Sequence, residues 1–136
     1  MCLFSGFYPE GYCSFSGEFV MLLISEHQRY FVHVGSTDMR KGFDTLCGLV
    51  RSDMNLDPMS GDMFIFFNRS RTHIKILLWD RDGYAIYCKR LERGTYELPH
   101  EKTDGTISVS AQTLALILQG IVLSSVKRKK RFENAA

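Results

Sequence analysis

Metal-dependent cutting and joining of phosphodiesters needs several carboxylates converging on two cations, and Asp38, Asp44, Asp80, Asp82 and Glu92 are the residues available for that role. Nothing in their spacing sets them together. Asp80 and Asp82 open like a calcium-binding loop, but the twelfth position is Leu91, where that loop requires a bidentate Glu. Asp80-Arg81-Asp82-Gly83 reads better as a tight turn. Nucleophile and base can be drawn as Ser36 with Asp38, or as Cys47 with His33 or His73, yet no flanking pattern supports either pair. The stretch Gly35 to Gly42 lacks the GxxxxGK[ST] spacing of a phosphate-binding loop, although amides at a helix N-terminus there can hold an anion. The cysteines, Cys2, Cys13, Cys47 and Cys88, include no CxxC pair and have no histidine at ligand spacing. Zinc and thioredoxin-like chemistry lose their main support, and reduced thiols in a cytoplasm are the simplest reading. No catalytic, metal-ligating or cofactor-binding residue is assigned.

What remains is positive charge, and its distribution matters more than its total. The chain has 136 residues and a formal net charge of +2, with 45% hydrophobic and 24% charged residues. That composition is ordinary for one globular domain and excludes global disorder, collagen-like repeats and coiled coil. Lys127, Arg128, Lys129, Lys130 and Arg131 hold five of the 17 basic residues beside one of the 15 acidic ones, leaving 12 basic against 14 acidic up to residue 126. A second excess runs from Ile65 to Arg93, where Arg69, Arg71, Lys75, Arg81, Lys89, Arg90 and Arg93 face only Asp80, Asp82 and Glu92. Both are candidate polyanion contacts, and both are also what a solvated face looks like. The first basic residue is Arg29 and the early apolar run Phe19 to Ile24 is too short to span a bilayer, so neither a secretory signal nor a membrane segment is expected.

The elements that must position these charges follow from periodicity. Residues 1 to 20 hold six aromatics among Gly and Ser without helical or strand period, and are expected to form a poorly ordered extension. Met21 is a candidate start of the protein. Residues 21 to 126 are expected to form one domain and residues 127 to 136 a basic tail. Arg29 to Val34 reads as a strand. Ser36, Thr37 and Asp38 offer N-cap side chains to a helix whose stripe is Met39, Phe43, Leu46, Cys47, Val50 and Met54. Asn55 to Gly61 is a loop. Met63 to Asn68, Thr72 to Trp79, Tyr84 to Leu91 and Thr95 to Leu98 read as four successive strands, and His100 to Thr106 as polar loop. Ser110 to Gln119 is a helix with Leu114, Ile117, Leu118 and Ile121 toward the sheet. The expected fold is α+β, an antiparallel β-meander with an N-terminal β-α unit and a C-terminal helix packed on the sheet.

Across the Asp-Gly hairpin, side-chain alternation assigns the faces whichever loop length is used. One face carries Ile74, Ile76, Leu78, Ala85, Tyr87 and Leu91, with Lys89 as its only charge, and is the core face. The other carries His73, Lys75, Leu77, Trp79, Tyr84, Ile86, Cys88 and Arg90. Two readings stay open for it. Basic groups interleaved with Trp79 and Tyr84 can hold phosphates and stack on bases. Alternatively this face also lies under a helix, with Trp79 in the core and Lys75 and Arg90 reaching out at the edge.

Several segments together resemble one family. Gly35-Ser-Thr-Asp38-Met-Arg40-Lys41-Gly42-Phe-Asp-Thr-Leu46, Asp57-Pro58-Met-Ser60-Gly61, Ile74-Lys75-Ile-Leu-Leu-Trp79-Asp80-Arg-Asp82-Gly83 and Lys89-Arg90-Leu91-Glu92-Arg93-Gly94 are similar, in order and gaps, to the TnpB accessory proteins of the insertion sequence 66 family. The resemblance covers about residues 27 to 123. It departs at the first twenty residues, which have no counterpart, and at Gln119, where the family commonly has Glu. The resemblance implies a mobile DNA element encoding a separate, larger transposase that carries the acidic catalytic residues, with this chain as an accessory to transposition. It implies no catalytic residue here. Its Arg-Lys-Gly, Lys-x-x-x-Trp-Asp and Lys-Arg-Leu-Glu motifs fall on Arg40 to Gly42, Lys75 to Asp80 and Lys89 to Glu92.

The expected function is therefore a non-catalytic accessory protein, needing no cofactor or metal, that binds DNA at the element ends. Its contacts are expected to be Arg40, Lys41, Lys75, Trp79, Tyr84, Arg90, Arg93 and the tail Lys127, Arg128, Lys129, Lys130 and Arg131. The alternative is a subunit that docks on the transposase through the Trp79 face without touching DNA. Either way the partners are element-encoded proteins, the location is cytoplasmic, at the nucleoid if DNA is bound, and the oligomeric state is left open.

Overall fold

The computed structural model describes residues 25–98, 105–120 and 123. The elements are β1 (Tyr30–Ser36), α1 (Phe43–Ser52), β2 (Met63–Phe67), β3 (His73–Asp80), β4 (Gly83–Arg90), β5 (Thr106–Val109) and α2 (Ala111–Gln119). The strands form one sheet in the order β4-β3-β2-β1-β5. The α+β expectation holds, with one correction: the sheet is mixed, because β1 and β2 run parallel, pairing Tyr30 with Met63 and Val32 with Ile65. The reason is local. A parallel neighbour requires a crossover, and α1 with its following loop supplies it.

The central strand β2, Met-Phe-Ile-Phe-Phe, is buried at all five positions. Such a run, apolar on both sides, is what a strand covered on both faces needs. On one face Val32, Ile65, Ile74, Ile76 and Ile107 form a core with Leu114 and Ile117 of α2. On the other, Phe64, Phe66, Leu77 and Ile86 form a second core with Leu46, Cys47 and Val50 of α1. The antiparallel register confirms the side-chain assignment, pairing Ile76 with Tyr87 and Leu77 with Ile86. Of the two readings of the Leu77 face, the covering helix is found, although Trp79 is half-buried outside both cores and Lys75 is itself buried. That face is not an open reading surface for nucleic acid, since Leu77 is fully buried and Ile86 and Lys75 nearly so.

Three local expectations are also corrected. Thr95 to Leu98 is not a strand. Its apolar side chains are used otherwise: Tyr96 is buried against Phe67, with ring centroids 5.4 Å apart, and Leu98 packs beside it on the α2 side of the sheet. The chain then reaches the opposite edge of the sheet as β5, antiparallel to β1. With only Ile107 buried among four residues, β5 carries too little periodicity to be read from sequence. Finally, α1 begins after Gly42, with no side-chain cap, because Asp38 is engaged in a turn in which its carboxylate accepts from the Arg40 amide at 2.9 Å. The second helix does follow its sequence signals: Ser110 caps it by accepting from the Thr113 amide, and Gly120 ends it at φ 77°. Of the two described cysteines, Cys47 is a buried free thiol. Residues 1–20, Ile121 and the tail Lys127 to Arg131 lie outside the described residues.

Candidate functional site

Strand register sorts the charged loops to the two ends of the sheet. Ser36 pairs with Phe67, Phe67 with Ile74, and His73 with Arg90. The ends of β1 and β2, the start of β3 and the end of β4 therefore lie together. At that end stand Arg40 and Lys41 before α1, Arg69 and Arg71 between β2 and β3, and Lys89, Arg90 and Arg93 around the end of β4. Seven basic side chains face Asp38, Asp44 and Glu92. The N-terminus of α1 points its first-turn amides to the same end, adding a partial positive charge.

The partners at this end divide the basic groups. Asp38 takes Arg40 in a bidentate pair, Nη2 donating to Oδ2 at 2.7 Å and Nε to Oδ1 at 3.1 Å. That guanidinium holds the Asp38 carboxyl well below the usual carboxylate range, so the pair is ionised at neutral pH. Arg90 donates to Glu92 at 2.9 Å. Arg69, Arg71 and Arg93 are exposed and make no ion pair among the described residues. Lys75 has a different task. Its Nζ donates to the Lys41 carbonyl at 2.9 Å, tying β3 to the turn before α1. Burial pushes the Lys75 ammonium down from its ordinary value, while the Asp38 carboxylate pulls it the other way.

Trp79 and Tyr84 do not join this group. They pair with each other at the turn end of the β3–β4 hairpin, edge to face with centroids 4.8 Å apart. From Lys75 to Trp79 is four residues of strand, about 13 Å at the usual rise. Both aromatics are half-buried, and the surrounding turn carries Asp80 and Asp82. Of the residues singled out from sequence, the structure gathers Arg40, Lys41, Arg90 and Arg93 at one end and turns Lys75 into a structural tie. It sets the two aromatics at the other end. Arg69 and Arg71 belong with the first group. Their signal in the sequence was the local charge excess, but their place beside Arg40 and Arg93 depends on strand order.

The carboxylates are also dispersed. Asp80 pairs opposite Gly83, whereas Glu92 follows Arg90 at the far end of the same hairpin, about 23 Å away along the strand. Asp80, Asp82 and Glu92 therefore cannot converge on one metal pair. Among the described residues no group of three or more His, Cys, Asp or Glu side chains is placed to hold a metal ion. Among the described residues Cys47 has no histidine partner: burial pushes its thiol up, and its neighbour is the Tyr84 hydroxyl. His33 is engaged with the Gly35 carbonyl at 2.9 Å and Asp53 at 3.2 Å, and His73 with Asn68 and Thr72. Ser36 is exposed and Asp38 is committed to Arg40.

Fold and site together define a small mixed-sheet α+β protein with a helix on each face, whose distinctive feature is a basic end. The family model described as "IS66 Orf2 like protein" matches residues 28–128, and the chain belongs to that family. It is thus an insertion-sequence-associated accessory protein. The chain is similar to "Uncharacterized protein y4hO" of Sinorhizobium fredii (strain NBRC 101917 / NGR234), at 35% identity over 101 residues, covering 74% of this chain and 87% of the relative. It is also similar to "Uncharacterized protein y4jC" of the same strain, at 33% identity over 101 residues, covering 74% and 86%. No solved structure matches the chain.

Proposed function

We propose that the protein is a non-catalytic accessory factor of its insertion sequence that holds duplex DNA by its phosphate backbone at the basic end of the sheet. The observation that supports this is the gathering of seven basic side chains on three loops and a strand end, in a chain whose first 126 residues are otherwise net acidic. Phosphate contacts position a protein without reading sequence, which suits an element-end factor working beside a separate transposase. The tail Lys127 to Arg131 adds charge to the same task. Trp79 and Tyr84, at the opposite end, favour a second contact there with the transposase, so that DNA and protein partners are held at different ends. Among the described residues no helix is long and apolar enough to cross a membrane. Binding DNA would place the protein at the nucleoid.

The test is fluorescence anisotropy with a labelled duplex from the element end and the full chain, over a salt series. Affinity is expected to fall linearly in log K against log salt, by about 0.9 per phosphate neutralised. Absence of binding at about 50 mM salt would remove this reading. Asp38→Asn is expected to raise affinity about threefold and steepen the slope by about 0.9, because it releases Arg40 from its carboxylate while an amide oxygen still accepts in the turn. An unchanged slope in that variant would place Arg40 outside the contact.

A further inference from the structure

We propose that the β2–β3 loop, residues 68–72, is the leading DNA-contact element, with Arg71 as a phosphate-binding residue kept in a backbone conformation that costs the fold stability. The inference rests on the DNA reading above and names the residues that carry it. Three observations converge on this loop.

The first is rigidity. The Asn68 side chain accepts from the Thr72 and His73 amides at 2.9 and 3.0 Å, and donates to the Ser70 hydroxyl at 3.0 Å. The Arg71 amide donates to the Asn68 carbonyl at 3.1 Å, and the Arg71 carbonyl accepts from the Tyr96 amide at 2.7 Å. The backbone is thereby tied down at Asn68, Arg71, Thr72 and His73, on both sides of the tip. A side chain displayed from such a loop loses little further backbone entropy on binding.

The second is charge. Arg40 and Arg90 at the same end are paired with Asp38 and Glu92, whereas Arg69 and Arg71 are exposed and make no ion pair among the described residues. Phosphate must displace a carboxylate to reach the first two, and nothing of that kind to reach the second two.

The third is conformation. Arg71 sits at φ 58°, in the left-handed region where a Cβ crowds the following carbonyl oxygen and only glycine escapes that conflict. The protein contains its own control for this feature. Arg81 has the same conformation, at φ 55°, in the turn at the opposite end, but it lies 3.8 Å from Asp80 and beside Asp82. The two arginines share the backbone penalty and differ in electrostatic surroundings. Only Arg71 stands where a polyanion would be attracted.

Arg71→Gly and Arg81→Gly in the full chain separate the two effects. Both variants are expected to be more stable than wild type, each lowering the unfolding equilibrium constant about three- to tenfold, since glycine relieves the left-handed strain. Only Arg71→Gly is expected to weaken binding of the labelled element-end duplex, by about three- to tenfold at about 100 mM salt, with the salt slope reduced by about 0.9. Wild-type binding with Arg71→Gly binding equally well would overturn this inference and leave the DNA reading standing. Equal losses in both glycine variants would overturn it too. Absence of wild-type binding would remove both.

Discussion

Leu77→Ala is expected to lower the unfolding free energy by about 3 kcal/mol or more, measured by urea denaturation with an unchanged m-value. Leu77 is fully buried in the core formed with α1, paired across the sheet with Phe64 and Ile86. Truncation removes its transfer free energy and leaves a void that helix and strand side chains fill only in part. The size of the effect is diagnostic. Were the sheet bare on this face, with Leu77 beneath a nucleic acid, truncation in the free protein would cost well under about 1 kcal/mol, as surface substitutions do. A measured loss below that value would contradict the placement of α1. Against a total stability of about 5–15 kcal/mol the expected loss is a large fraction, and it would reach function only by depleting folded protein.

Charge removal at the basic end is expected to act in the opposite way, on binding and not on folding. In a chain carrying Arg69→Ala, Arg71→Ala, Arg90→Ala and Arg93→Ala, four potential phosphate partners are gone. The slope of log K against log salt is expected to drop by about 3, mostly from the unpaired Arg69, Arg71 and Arg93 since Arg90 is held by Glu92, and affinity at about 100 mM salt to fall about a hundredfold or more. Stability should move little. All four side chains are exposed, and the one ion pair lost, Arg90 with Glu92, lies at the surface, where such pairs contribute about 0–1 kcal/mol. A variant that binds like wild type, beside a chain ending at residue 126 that does not bind, would transfer the contact to the Lys127 to Arg131 tail. Loss of binding together with loss of the folded signal would instead assign these arginines to the fold.

Much of the architecture was legible because it is written locally. The stripe of Leu46, Cys47 and Val50 marked α1, Ser110 and Gly120 bracketed α2, and alternation through the Asp-Gly turn set the two faces of the β3–β4 hairpin. Each of these signals is a spacing between near neighbours. The candidate contacts were legible only as a list of basic residues. Lys75 shows why: as a lysine in an alternating strand it looks the same whether its ammonium meets phosphate or, as here, the Lys41 carbonyl. Thr106 to Val109 carries no local mark as a strand for a related reason, since its pairing partner, β1, is more than 70 residues away.

The sequence by itself determined β1 to β4 and the two helices, the side-chain parity of the central hairpin, the family, and the concentration of positive charge in one hairpin region and one tail. Tertiary structure alone decided that β1 lies parallel to β2, that both sheet faces are covered, and which charges are neighbours. The physical reason is that charge and periodicity are properties of a segment, whereas strand order is a property of the whole chain. Placing β1 between β2 and β5 brings Arg40 to the same end as Arg71 and Arg93, and sends Trp79 and Tyr84 to the other.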